Sequence, residues 1–222
     1  MNNSVSNTAR LLGAGLRALL VLTLVTGVLY PLVVTGIAQG LFHDQANGSE
    51  AKANGRVVGS SLIGQAYNLP LKKGQETPEP DLKWFQGRPQ NGLGTNSVNT
   101  QYKLILSGAT NRSGDNEELI QWVKDAKAAV VKDNSTGTYK VKPSQVPADA
   151  VTSSGSGLDP DISPQYADIQ VHRVAEKNGL STAQVRRLVD EHTEGRTLGF
   201  MGEPRVNVLE LNIALKELVA KS

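Results

Sequence analysis

The sequence predicts an α+β protein: one N-terminal transmembrane helix, then a single extracytoplasmic domain with a small sheet beside about four helices. Three observations lead there. Ala18 to Phe42 is a run of 25 residues without a charge. Four later segments open with helix-start signals and continue with apolar residues at helical spacing. Between them lie short β-branched stretches bounded by Gly, Pro, Asn and Ser, enough for a small sheet only.

Residues 1–17 form a cytoplasmic N-terminus that leads into the membrane, and 18–42 form the span. As a helix the span covers roughly 37 Å, against a hydrocarbon thickness of about 30 Å. Arg10 and Arg17, with the small-x-small run Gly36-Ile37-Ala38, also fit a cleaved signal peptide. A signal h-region is about 7–15 residues, however, so the length favours a retained anchor. Arg10 and Arg17 precede the span and His43-Asp44 follows it, which places the N-terminus inside and the body outside. Thr23, Gly27, Pro31 and Thr35 recur every fourth residue on one face, and Gly36 with Gly40 makes a small-xxx-small pair. Small residues permit close backbone approach between helices in lipid, so Thr23, Gly27, Thr35, Gly36 and Gly40 are candidate partner contacts. Frequent Gly and Thr in such helices is the plain alternative. Pro31 removes a backbone bond and is expected to bend the helix.

Residues 43–55 read as a linker and 56–222 as the domain. Arg56-Val57-Val58 suggests a strand, 68–83 an irregular excursion, and Trp84 to Thr110 mostly turns. Asp115 with Glu118 starts a helix running to about Val131. Ser163-Pro164 caps a second helix ending at Gly179, and Ser181 with Gln184 opens a third that stops at Gly195. The last starts at Asn207, with Glu210 three residues on, and carries Val208, Leu211, Leu215 and Leu218. Further β-like stretches lie at Tyr139–Val141, Val151 and Leu198–Phe200.

Composition narrows function by exclusion. The chain has 23 Lys+Arg against 21 Asp+Glu, and two of the basic residues precede the body, which is therefore electrically balanced. A nucleic-acid binder would show a basic excess, so none is expected as partner. With no cysteine there is no disulfide scaffold, thiolate metal site or cysteine nucleophile. No Walker-type G-x-x-x-x-G-K-[ST] and no D-K-T-G loop occur. Ser154-Gly155-Ser156-Gly157 fails the G-x-S-x-G pattern, with Ser154 and Leu158 where glycines belong. His43, His172 and His192 lack metal-ligand spacing, so neither a catalytic set nor a metal site is expected. Asp159-Pro160-Asp161 reads as turn chemistry. The run from Val146 to Pro164 is too specific for a mere linker and suits an ordered docking surface. Leu158, its one large apolar residue between Val151 and Pro164, either enters a partner's pocket or packs into its own domain.

Five segments carry a resemblance: GSSLIGQ at 59–65, WFQGRP at 84–89, VPADAVTSSGSGLDPDISP at 146–164, QVHRVA at 170–175 and TLGFMGEPRVNVLELNIAL at 197–215. Together they resemble the KdpC family, the small subunits of bacterial potassium-transporting Kdp ATPases. The resemblance implies a non-catalytic accessory subunit of an ATP-driven, high-affinity potassium uptake pump in the plasma (inner) membrane. Such a subunit assembles with and stabilises a potassium-channel-like subunit, a P-type ATPase subunit and a very small fourth chain. No firmly bound cofactor is implied; ATP enters through the complex, whose catalytic subunit the family is held to make bind ATP more tightly. The glutamine linked to that nucleotide contact matches Gln170, although the charge-based topology puts Gln170 outside and ATP is inside. The alternative is a membrane-anchored extracytoplasmic enzyme or solute-binding module using the SGSGLDP loop, but no nucleophile–base–orienter set supports it.

Overall fold

The computed structural model describes residues 3–75, 78–89, 107 and 112–222. Most of the Trp84–Thr110 stretch expected to be turns lies outside the described residues. The chain divides into two units, Met1–Glu50 and Ala51–Ser222.

In the first unit, helix α1 (Asn3–Leu24) passes through a π turn (Val25–Leu29) into α2 (Tyr30–Leu41). From Ser4 to Leu41 this is one continuous apolar helix of 38 residues, long and apolar enough to cross a membrane. The π turn sits where Pro31 would press on the carbonyl four residues back, and the Tyr30 N–H reaches to Val25 O instead. A wider turn is a recognised way to seat a proline without ending the helix. Thr23 and Gly27 do share a face: a Cβ on Gly27 would lie 4.0 Å from Thr23 Cγ2. At Gly36 and Gly40 a Cβ would meet nothing within 4 Å, so both glycines open onto free space. Phe42 leaves helical geometry, and a single turn, α3 (His43–Ala46), follows.

The division falls after the first residue of a two-stranded sheet, β1 (Glu50–Ala53) and β2 (Arg56–Ser60), the rest of which opens the second unit. Helix α4 (Glu117–Asn134) starts one residue later than Asp115 suggested. The cap is Asn116, whose side chain accepts the Leu119 N–H at 3.0 Å. Helix α5 (Pro164–Asn178) is capped by Ser163 and closed by Gly179 at φ 68, as the sequence predicts. Helix α6 (Thr182–Glu191) has the Ser181/Gln184 capping box but ends at His192 rather than Gly195. The next two residues are taken by a strand, β4 (Thr193–Glu194), which pairs with β5 (Arg205–Asn207). Helix α7 (Val208–Lys221) is capped by Asn207.

The second sheet is antiparallel in the order β3-β5-β4, with β3 at Asp161–Ile162. Its register pairs Ile162 with Val206 and Val206 with Thr193. Strand expectations at Tyr139–Val141, Val151 and Leu198–Phe200 are corrected. Val141 and Val151 bury by packing on the core after turns, and Leu198–Phe200 forms the tip of a protruding turn. Two- and three-residue strands show no alternation in sequence, because alternation needs several residues to become visible.

Helix α5 is the hub. Tyr166, Ala167, Ile169, Gln170, Val171, Arg173, Val174 and Ala175 are all buried, and the stripe of Gln165, Asp168 and Glu176 faces outward. α6 contributes Val185, Leu188 and Val189, and α7 contributes Val208, Leu209, Leu211 and Leu215. Burying each such side chain contributes about 1.5–3 kcal/mol, which offsets the ordering of short loops around them.

Candidate functional site

Among the buried polar side chains, Gln170, Arg173 and Asn212 lie inside this apolar pattern. Buried polar groups persist only when bonded, so their partners identify what they are for. All three face residues 81–89, a strap without regular secondary structure.

Asn212 Nδ2 donates to Phe85 O at 3.0 Å, and its Oδ1 accepts the Phe85 N–H at 2.9 Å. Gln170 treats the next residue identically: Nε2 donates to Gln86 O at 3.0 Å and Oε1 accepts the Gln86 N–H at 2.7 Å. Each amide thus replaces a neighbouring strand. Arg173 donates through Nη1 to Trp84 O at 3.0 Å and to Leu82 O, and through Nη2 to Gln170 Oε1 at 2.6 Å. Its Nε donates to Asn134 Oδ1 at 2.8 Å. Asn178 Nδ2 donates to Lys83 O at 2.8 Å. Gln170, Arg173 and Asn178 lie on one stripe of α5, so a single helix face holds most of the strap.

The Arg173 guanidinium is a charge bonded to neutral oxygens. Burial pushes its pKa down to about 10, which still leaves it charged at neutral pH. Tyr166 beside it is pushed up to about 12, chiefly by burial.

The strap in turn fixes the SGSGLDP loop. Arg88 Nη1 bonds Asp159 Oδ2 at 2.8 Å and Nη2 donates to Ser153 O at 3.2 Å. The loop's hydroxyls serve the loop itself: Ser156 Oγ accepts the Leu158 N–H at 3.1 Å and Ser154 Oγ accepts the Asp159 N–H at 3.4 Å. Leu158 is half-buried, and its carbonyl accepts the Gly64 N–H at 2.8 Å, which ties in the GSSLIGQ turn. Asn207 Nδ2 closes the circuit by donating to Ser61 O at 2.8 Å and Asp161 Oδ1 at 3.2 Å. Upstream, Asp149 accepts both the N–H and the hydroxyl of the helix cap Ser163, at 2.7 and 3.0 Å.

The five recognisable segments are therefore one hydrogen-bonded assembly. Gln170 lies in it fully buried, both ends of its amide engaged within the domain. His172 stacks on Tyr139 with ring centroids 4.0 Å apart, and His192 Nδ1 lies 2.9 Å from Leu188 O at the end of α6. Among the described residues no three His, Asp or Glu side chains group as a metal set. Asn212, Arg88 and Asp149 were missed by sequence reasoning. For Asn212 a signal existed: it is an amide in an apolar stripe, between Leu211 and Leu215, one turn after Val208.

Fold and site together define a class: a single-span chain with one α+β body whose motif residues are spent on fixing a strap and a loop. A model of the family described as "KdpC: K+-transporting ATPase, c chain" matches residues 12–217. The chain is 86% identical over 222 residues to a potassium-transporting ATPase KdpC subunit of Streptomyces avermitilis, covering 100% of both. It is 44% identical over 202 residues to one from Caldanaerobacter subterraneus, covering 91% of this chain and 92% of that one. It is 41% identical over 203 residues to one from Mycobacterium bovis, covering 91% and 96%. The chain belongs to the KdpC family.

Proposed function

We propose that this chain is a non-catalytic accessory subunit of an ATP-driven potassium pump, which assembles and stabilises the channel-like and P-type ATPase subunits together with a small fourth chain. The observation that carries the reading is the family match from residue 12 to 217, which takes in both the apolar helix and the body. Its N-terminus lies in the cytoplasm and residues 56–222 lie outside, following the basic residues before the span. The span 18–42 packs on partner helices through its small residues, with lipid around the rest, and residues 43–55 link it to the body.

ATP belongs to the catalytic partner in this reading. Gln170 supports it indirectly, by holding Gln86 and so the strap; a direct nucleotide contact would require that amide to leave Gln86. Any increase in ATP affinity then follows from assembly. The test is co-isolation from membranes in mild detergent with a tag on this chain. Recovery of channel-like and P-type subunits, with potassium-dependent ATPase activity that falls when this chain is removed, is the expected result. Isolation of the chain alone at all detergent strengths, with no effect on the ATPase, would overturn it.

A further inference from the structure

Among the described residues of the body, the most exposed large apolar side chains, Leu198, Phe200 and Leu62, sit on two turns. In the first, Leu198 is 78% exposed and Phe200 69%, with Met201 half-exposed beside them. This turn is braced. Thr197 and Met201 exchange backbone bonds of 2.9 and 3.0 Å, and Arg196 Nη2 meets Glu203 Oε2 at 2.7 Å across its base. Leu198 is held at φ 54, a left-handed conformation that a leucine rarely takes. Strain of that kind persists where the surroundings impose it, and here its effect is to aim an apolar side chain outward. In the second turn Leu62 is 63% exposed, and the turn is tied down through the Gly64 N–H bond to Leu158 O.

A polar cleft of about 280 Å³ lies between Leu62 and the base of the Leu198 turn. Leu62 lines one wall; Glu194 and Arg205, the last pair of the β4–β5 ladder and the root of the Leu198 turn, line another. Asp161, Glu194 and Glu210 face it against the single guanidinium of Arg205, leaving two negative charges. Arg205 is already committed, at 3.3 Å to Asp161 and 2.7 Å to Glu194.

Resting on the subunit reading above, we infer that the Leu198/Phe200 turn and the Leu62 turn form a two-pronged docking face for another subunit of the same complex, whose surface offers apolar sockets on either side of a lysine or arginine that enters the acidic cleft. Charge selects this occupant. An anionic lipid surface would be repelled by the cleft, and the two arginines that flank the turn are neutralised, Arg196 by Glu203 and Arg205 by Glu194, whereas lipid-binding segments keep a net basic flank. A second copy of the chain, meeting face to face, would bring like charges together. A braced knob also loses little freedom on binding, which favours a shaped protein socket.

The test uses the full chain, tagged and co-expressed with its partners, with Leu198→Asn, Phe200→Ser, Leu62→Ser and, as a control, Leu71→Ser at another exposed leucine of the body. Asparagine accepts a left-handed backbone, so Leu198→Asn keeps or raises the chain's melting temperature while removing the prong. Leu198→Asn and Phe200→Ser are each expected to weaken partner recovery about tenfold, and Leu71→Ser to leave it unchanged. A single cysteine at position 200, labelled with an environment-sensitive dye, should shift to the blue only when partners are present. A blue shift in vesicles holding this chain alone would assign the turn to lipid or to self-association and overturn the inference. Partner recovery untouched by Leu198→Asn and Phe200→Ser together would overturn it while leaving the subunit reading intact. If the unmutated chain recovers no partner, both fall.

Discussion

Asn212 and Phe85 are 127 residues apart in the chain, yet the Asn212 amide bonds both the N–H and the carbonyl of Phe85, at 2.9 and 3.0 Å. Phe85 is wholly buried, so its backbone groups have no water to fall back on. An irregular segment crosses the core here because side chains do for it what a neighbouring strand does elsewhere.

Asn212→Leu should therefore strand two buried backbone groups at once. Leaving each unsatisfied costs about 1–3 kcal/mol, so a loss of about 2–6 kcal/mol is expected. Denaturant unfolding of the full chain in detergent measures the loss, and amide exchange should be fastest at Phe85 and Gln86. Unchanged exchange at those two amides would show that the strap holds without the clamp.

Gly59 leaves room for two neighbouring side chains. A Cβ there would lie 2.1 Å from Gln65 Nε2 and 2.9 Å from Leu209 Cδ2. Gly59→Ala must evict Gln65, which donates to Val58 O at 2.8 Å, and press on the buried Leu209. Overpacking of this kind costs about 1–3 kcal/mol. Adding Gln65→Ala should recover part of that cost, and a double-mutant cycle showing strict additivity would sink the explanation.

Tyr166 supplies a pH signature. Its phenol is pushed up to about 12 by burial, first of all, with Asp149 and Asp133 adding to the rise and Arg173 opposing it. A raised folded pKa means the unfolded chain ionises first, so this contribution is complete below about pH 10 and is lost as pH climbs toward 12. Arg173, pushed down to about 10, acts in the opposite direction over the same window, so the signal is a difference: stability in Tyr166→Phe should fall less, or rise more, with pH than in the unmutated chain. Equal slopes in the two proteins would remove Tyr166 as the cause.

Topology is open to direct labelling because the chain has no cysteine. Single cysteines in place of Ser49 and Ser222 should react with a membrane-impermeant thiol reagent in intact cells. Reaction only after lysis would reverse the orientation.

In the apolar helix, Gly36 and Gly27 leave room that a leucine would fill. Gly27→Leu and Gly36→Leu are expected to lower recovery of partner subunits while the chain still inserts. Normal recovery with both changes together would reduce the span to a plain anchor.

The sequence by itself determined whatever depends on near neighbours. An uncharged run of 25 residues specifies the long apolar helix, and Ser163-Pro164, Ser181 with Gln184, and Asn207 specify three helix starts, because caps and periodicity act within one or two turns. The boundary at Gly195 was misread for the complementary reason: Thr193 and Glu194 pair with Val206 and Arg205, residues that no local rule connects to them. The family motifs were legible as strings, while their purpose was not. That Gln170 turns inward to Gln86, that Asn212 clamps Phe85, and that Arg88 reaches Asp159 were decided only when α5, α7 and the strap met. Burial removes water from a polar side chain and so obliges it to find a partner, but which partner depends on what the rest of the chain brings within about 3 Å.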